Sequence, residues 1–159
     1  AALVAKKIGF NNVRGLKPRE IIQVKELSIE ATSGAPVPQV ENGYLLTHPE
    51  GSIYLEPHGF FDESLQVEKV DVLITPVLDI RIPIVGSFIK GKTILPKLIK
   101  TLKPKTILAS TIGGDAIYSG LLNKLINVEG NINDIAKSLD RNISFIDPTP
   151  GQQYELPKH

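Results

Sequence analysis

The stretch Tyr54-Leu55-Glu56-Pro57-His58-Gly59-Phe60-Phe61-Asp62 is the densest set of chemically capable side chains in this protein. It follows a run, Ser52 to Leu55, that reads as a strand, and loops at strand ends are where functional side chains are usually presented. The imidazole of His58 suits a transition metal or a proton transfer near neutral pH. Glu56 could be a second metal ligand or a base. Asp62 precedes Glu63-Ser64-Leu65-Gln66, which suggests a short helix that it would cap. Each residue also has a plain structural reading: a half-exposed turn histidine, a solvated strand-end carboxylate, a helix cap. Their spacing alone leaves both readings open.

Two further strand ends carry candidates. Ser110-Thr111-Ile112-Gly113-Gly114-Asp115 follows an apolar run, and its glycines would let the backbone turn tightly and approach a ligand. The longer pattern of a phosphate cradle, G-x-x-x-x-G-K-[ST], is absent. Ser110, Thr111, Gly113, Gly114 and Asp115 are therefore candidate pocket residues, with a turn capped by Asp115 as the alternative. Ser33 and Gly34 repeat the theme after another strand. His48 falls in an expected hairpin turn, and His159 is terminal.

Composition narrows the classes. The 159 residues carry Lys+Arg 18 against Asp+Glu 17, a net charge of +1, which gives no reason to invoke nucleic acid or an anionic membrane. Aromatics make up 6%, too few for a base-stacking platform. No apolar run approaches the roughly 20 residues of a membrane helix. Cysteine is absent, so there is no disulfide framework, thiolate nucleophile or cysteine zinc site. That fits a reducing compartment, and the expectation is the cytoplasm, or the plastid stroma if the source is photosynthetic. The chain starts Ala1-Ala2-Leu3 and contains no methionine, which leads to the expectation of a fragment of a longer protein.

The elements that must position these residues follow from periodicity. Leu3, Val4 and Ile8 share a helical stripe, with Gly9 as C-cap. Residues 11–16 read as a short strand. Ile21 to Val24 and Leu27 to Ser33 read as alternating strands, and residues 43–48 and 52–56 as a hairpin around His48 to Gly51. Val70 to Thr75 and Thr106 to Ala109 are apolar runs of strand length, the mark of strands covered on both faces. The helix Lys92 to Leu102 between them fits a crossover connection. It tolerates Pro96 only if that residue lies in the first turn. Residues 78–91 read as an apolar loop, 116–126 as a helix, 131–140 as a helix capped by Asn131, and 143–147 as a last strand. One domain, residues 1–159, accounts for all of it: antiparallel strands first, then strands alternating with helices.

The order of these pieces, with Glu41-Asn42-Gly43-Tyr44, Glu56-Pro57-His58-Gly59-Phe60 and Leu102-Lys103-Pro104-Lys105, resembles the C-terminal half of the metallo-β-lactamase fold superfamily. The likeness is nearest to its lactonase-like branch in cyanobacteria and plastid-bearing organisms. The resemblance implies an α/β (α+β) αββα sandwich with a mixed sheet, a divalent metal, most often zinc, at one edge, and hydrolysis of an ester, lactone or phosphodiester of a small molecule. The family's His-x-His-x-Asp-His motif is absent and would lie before Ala1. Its later histidine positions fall near Ser33 to Ala35 and near Ser110 to Thr111, with no histidine at either. Its bridging aspartate position falls at Glu56 to His58, so the resemblance implies His58, then Glu56, as metal ligands. The expectation is accordingly either a hydrolase whose other ligands lie in a missing N-terminal half, or a scaffold that has lost its metal and binds or assembles without catalysis. Homo-oligomerisation is compatible with both, and this chain by itself is expected to hold little or no metal.

Overall fold

A computed structural model describes residues 2–35, 41–83, 86–110 and 126–155. The helix α1 (Ala2–Lys7) is followed by strands β1 (Ile21–Val24), β2 (Leu27–Thr32), β3 (Gly43–His48), β4 (Gly51–Leu55), β5 (Val72–Pro76), β6 (Asp79–Ile82) and β7 (Gly86–Lys90). Helix α2 (Gly91–Leu102), β8 (Thr106–Ser110), β9 (Asn127–Glu129), helix α3 (Ile132–Ser138) and β10 (Ser144–Ile146) complete the described elements.

A seven-stranded mixed sheet runs in the order β1-β2-β3-β4-β5-β8-β10. From β1 to β4 the strands meander antiparallel, and β4/β5, β5/β8 and β8/β10 pair in parallel. The β3–β4 turn is two residues long, because His48 pairs with Gly51 across Pro49-Glu50. Val72 to Pro76 pairs directly with Thr106 to Ser110, as expected of two buried parallel strands joined by a crossover. That pattern sets the functional geometry. β2 and β4 point the same way across β3, and β5 and β8 continue that direction, so these strands deliver their C-terminal ends to one edge of the sheet.

One face of this sheet carries the core. Leu45, Tyr54, Leu73 and Ile107 stand in cross-strand register, and the partly buried Phe145 continues the row. Helix α2 covers it with Leu95, Leu98 and Leu102, the apolar stripe of an amphipathic helix. Each of these leucines contributes about 1.5–3 kcal/mol by leaving water. The Tyr54 hydroxyl stays in the core by sharing a hydrogen bond with Thr32 Oγ1 at 3.2 Å, and burial pushes its pKa up to about 12.

Several expectations need correction. Within residues 78–91, expected as a loop, residues 79–82 and 86–90 are strands. β6 and β7 form an antiparallel pair, joined by β9 in a three-stranded sheet. The alternation Asp79-Ile80-Arg81-Ile82 is that of a strand. Ile80 is buried opposite the buried Ile89, and Pro83 sits just past the ladder, where its missing N–H costs nothing. β9 was not expected at all. Residues 11–16 form no strand, and there the Leu16 carbonyl accepts from Asn42 Nδ2 at 2.8 Å instead of from a neighbouring strand. Residues 63–66 make a turn and no helix. Pro96 lies in the second turn of α2, beyond the positions where a missing N–H is harmless. Helix α1 forms, and Leu3, Val4 and Ile8 on the helical stripe read from the sequence are exposed. The expected helix over residues 116–126 falls almost wholly outside the described residues.

Candidate functional site at the sheet edge

Glu56 determines the shape of the loop after β4. Its backbone N–H donates to the Ile74 carbonyl at 2.9 Å, extending the β4/β5 ladder by one step. Its side chain is fully buried. There the carboxylate accepts from the backbone N–H of His58, at 3.2 and 3.1 Å to its two oxygens, and of Phe60 at 2.8 Å. Burial holds the Glu56 carboxyl above its usual range, and the N–H groups of Phe60, His58 and Gly59 pull it part of the way back. Glu56 thus folds the loop around itself and is not the solvated carboxylate that its place in the sequence suggests.

The turn after Glu56 rests on the start of α2. The N–H of Lys90 donates to the His58 carbonyl at 3.1 Å. Gly59 has φ +68, and a Cβ there would come within 2.4 Å of the Lys90 carbonyl carbon. Only glycine meets both conditions. Gly91 in turn lies against the end of β5, where a Cβ would stand 2.4 Å from Pro76. Pro76 is the register partner of Ser110. The first turn of α2 is already satisfied from another element: Asp79 accepts from Thr93 N at 3.1 Å and from Thr93 Oγ1 at 2.5 Å. A carboxylate therefore fills the position that a bound anion would take at this helix terminus.

On the other side, the same turn meets Ser33 and Glu41. Asp62, also buried, accepts from Ser33 N at 2.9 Å, from Ser64 N at 2.9 Å and from Ser64 Oγ at 2.6 Å. Arg19 stands 3.5 Å away and also reaches Ser64 Oγ and Glu30. Burial pushes the Asp62 carboxyl up, but hydrogen bonds from Ser64 and Ser33 and the Arg19 charge outweigh it and hold it below its usual range. Arg19 holds this place from a left-handed backbone, φ 72, a costly conformation for a side-chain-bearing residue. Gly34 touches the backbone of Glu41 so closely that a Cβ would sit 1.3 Å from its carbonyl oxygen.

His58 lies where these contacts meet. Its side chain is 18% exposed, and Nε2 stands 3.7 Å from a Glu41 carboxylate oxygen. Nδ1 is buried with no hydrogen-bond partner.

Ser33, Gly34, Glu56, His58 and Ser110 thus share the edge formed by the ends of β2, β4 and β8. A line of contacts runs from Ser110 through Pro76, Gly91, Gly59 and His58 to Glu41 and Gly34. At about 4.8 Å per strand, four strand spacings separate Ser33 from Ser110, about 19 Å along the edge. Thr111, Gly113, Gly114 and Asp115 lie outside the described residues. Sequence reasoning missed Glu41 and Arg19. Glu41 belongs to the Glu-Asn-Gly-Tyr motif, but nothing local marks it as the neighbour of His58. Among the grooves, one of about 500 Å³ adjoins the Asp62 junction, bounded by Arg19, Glu30 and Ser64, and an apolar one of about 480 Å³ lies between α2 and α3, lined by Leu95, Ile99 and Ile135.

A catalytic zinc site takes three protein donors plus water, and a structural one takes four. Among the described residues no group of three His, Cys, Asp or Glu comes together. His58 Nδ1 is a donor of the right kind. Both Glu56 oxygens, however, are taken by backbone N–H groups, and Glu41 faces the other imidazole nitrogen. These residues do not by themselves fit a metal centre.

Residues 5–110 match the family described as beta-lactamase superfamily domain. Among solved structures, the chain is similar to an isothiocyanate hydrolase from gut bacteria of Delia radicum, with TM-score 0.66 and 21% identity over 98% of this chain and 64% of that one. It is similar to a candidate metal-dependent hydrolase from Parabacteroides distasonis, with TM-score 0.57 and 18% identity over 96% and 63%. It is also similar to an E377D mutant of the beta-hydroxylase CmlA, with TM-score 0.50 and 12% identity over 68% and 27%. This chain therefore spans less than two thirds of each of these proteins, and at such identities the likeness is one of fold. No curated protein sequence matches it. The matched family and the mixed sheet agree with the fold expected from the motifs: the chain belongs to the beta-lactamase superfamily and has the metallo-β-lactamase fold.

Proposed function

We propose that this chain carries the strand-edge portion of a hydrolase active site in the lactonase-like branch of the superfamily. Its substrate is a small-molecule ester, lactone or phosphodiester, and His58 is its working residue. The observation that supports this reading is the state of His58. The carboxylates of Glu56 and Asp62 on the same loop accept hydrogen bonds from backbone N–H groups, whereas Nδ1 of His58 is buried without a partner. Buried polar atoms are nearly always paired, and the exceptions call for an explanation such as a catalytic role. A neutral imidazole there has a lone pair ready to take a proton or a ligand. The divalent metal implied by the family would need its other ligands from outside the described residues, whether from a longer chain or a second copy. Glu56 supports the site by holding the turn. Ser33, Gly34 and Ser110 shape the edge, with Thr111, Gly113, Gly114 and Asp115 as the sequence's candidates for its continuation.

A second reading is a non-catalytic scaffold, favoured because no group of three His, Cys, Asp or Glu comes together among the described residues. One experiment separates the two. The protein is assayed against panels of aryl esters, lactones and phosphodiesters beside His58→Ala. Turnover that falls at least 100-fold in the variant supports the hydrolase. Turnover that survives in His58→Ala contradicts it, and no turnover in any class favours the scaffold. Among the described residues no helix is long and apolar enough to cross a membrane.

A further inference from the structure

We propose that Glu41 is the positioning residue of His58. It accepts the hydrogen bond of Nε2–H and thereby fixes the tautomer in which the Nδ1 lone pair is free. This rests on the reading of His58 as the working residue. A neutral imidazole has one N–H, and which nitrogen carries it is set by the partner of that nitrogen. Nε2 stands 3.7 Å from Glu41 Oε2, one small side-chain adjustment from a hydrogen bond, and Glu41 is half exposed and able to make it. Nδ1 is buried with no partner. With the proton on Nε2, a donor faces a carboxylate and the buried nitrogen is only an unused acceptor. With the proton on Nδ1, a buried donor goes unmet and a lone pair faces the carboxylate.

The placement of Glu41 is built in. Its N–H donates to the Ala35 carbonyl at 3.1 Å, and its own carbonyl lies in the space that Gly34 leaves open. The backbone of His58 is held from two other directions, by Glu56 on its N–H and by Lys90 on its carbonyl. The imidazole is therefore set between a fixed main chain and one carboxylate. An outer-shell carboxylate on one ring nitrogen is the usual way in which the other is made a better base or ligand.

The test is the tautomer itself. The chain is labelled with ¹⁵N-histidine, and long-range ¹H–¹⁵N correlation spectra are recorded at a pH where the rings are neutral. His58 is assigned by its loss in His58→Gln. The expected result is the Nε2–H pattern in the wild type, kept in Glu41→Gln, whose amide oxygen still accepts, and replaced by a tautomer mixture in Glu41→Ala. The Nδ1–H pattern in the wild type, or an Nε2–H pattern unchanged in Glu41→Ala, overturns the proposal. Glu41→Gln keeps the side-chain size, so it reports even if Glu41→Ala folds poorly. An Nε2–H tautomer set by Glu41, alongside hydrolysis that survives in His58→Ala, would defeat the functional reading and leave the positioning role standing.

Discussion

Asp62 Oδ2 accepts a hydrogen bond from the Ser33 amide at 2.9 Å and so ties together two strand-end turns 29 residues apart in sequence. The same carboxylate caps its own turn through Ser64 and faces Arg19. It therefore holds the turn that ends β2 to the one that ends β4, and the Glu41–His58 pair lies beside this junction.

Replacing Asp62 by Asn removes an ionised acceptor from a buried position. The expected loss is about 1–3 kcal/mol in urea denaturation. The pH dependence follows from the sign of the shift. The folded pKa lies below the ordinary aspartate value, so the stabilisation is present above about pH 3.9 and is lost as pH falls through the folded value. Asp62→Asn should therefore differ most from wild type near neutral pH and converge on it in acid. A constant difference at all pH values would show that the charge is not what matters.

Glu56 shows the opposite sign. Its folded pKa is raised, mainly by burial, so protonation favours the fold and stability declines as pH rises from the ordinary glutamate value through the folded one. Glu56→Gln keeps one acceptor oxygen and removes that decline. Glu56→Ala leaves backbone donors unmet and should cost about 2–4 kcal/mol. If Glu56→Ala is as stable as Glu56→Gln, the carboxylate does not build this loop.

Gly34 has no room for a side chain. A methyl would overlap the Glu41 carbonyl, so Gly34→Ala must push two turns apart, at about 1–3 kcal/mol as for overpacking elsewhere. The expected outcome is a lower Tm together with loss of the Nε2–H tautomer at His58, since Glu41 moves with the displaced turn. A Tm equal to wild type would show that the turns are not in contact in solution.

The purified 159-residue chain should bind zinc with an affinity weaker than micromolar by calorimetric titration, because its described residues bring together fewer than the three donors of a catalytic site. Stoichiometric, sub-micromolar zinc would show that the ligands are all present in this chain.

Much of the sheet was legible because apolar periodicity is a local signal. The continuous runs 70–75 and 106–109 announced β5 and β8, and Pro49-Glu50 between alternating residues announced the β3–β4 turn. The strands at 79–82 and 86–90 are hidden within the expected loop 78–91 because Pro83 and Gly86 look like loop punctuation, and a strand pair shows itself only when Ile80 meets Ile89 across it. The exposed stripe of α1 has the reverse cause: the pattern predicts a helix but not what covers it. At the site, His58 and Glu56 stood out by type. The inward turn of Glu56 was illegible because it depends on N–H groups that face it only once the loop has closed. Glu41 was illegible because its partner lies 17 residues away.

The central claim is that the working surface is the edge where β2, β4, β5 and β8 end. Amide shift mapping of the ¹⁵N-labelled chain with non-hydrolysable ester, lactone and phosphodiester analogues tests it most directly. The account predicts that an analogue that binds moves the amides of Gly34, Glu41, His58, Gly59 and Ser110 together. Shifts confined to Leu95, Ile99 and Ile135, in the groove between α2 and α3, would contradict it.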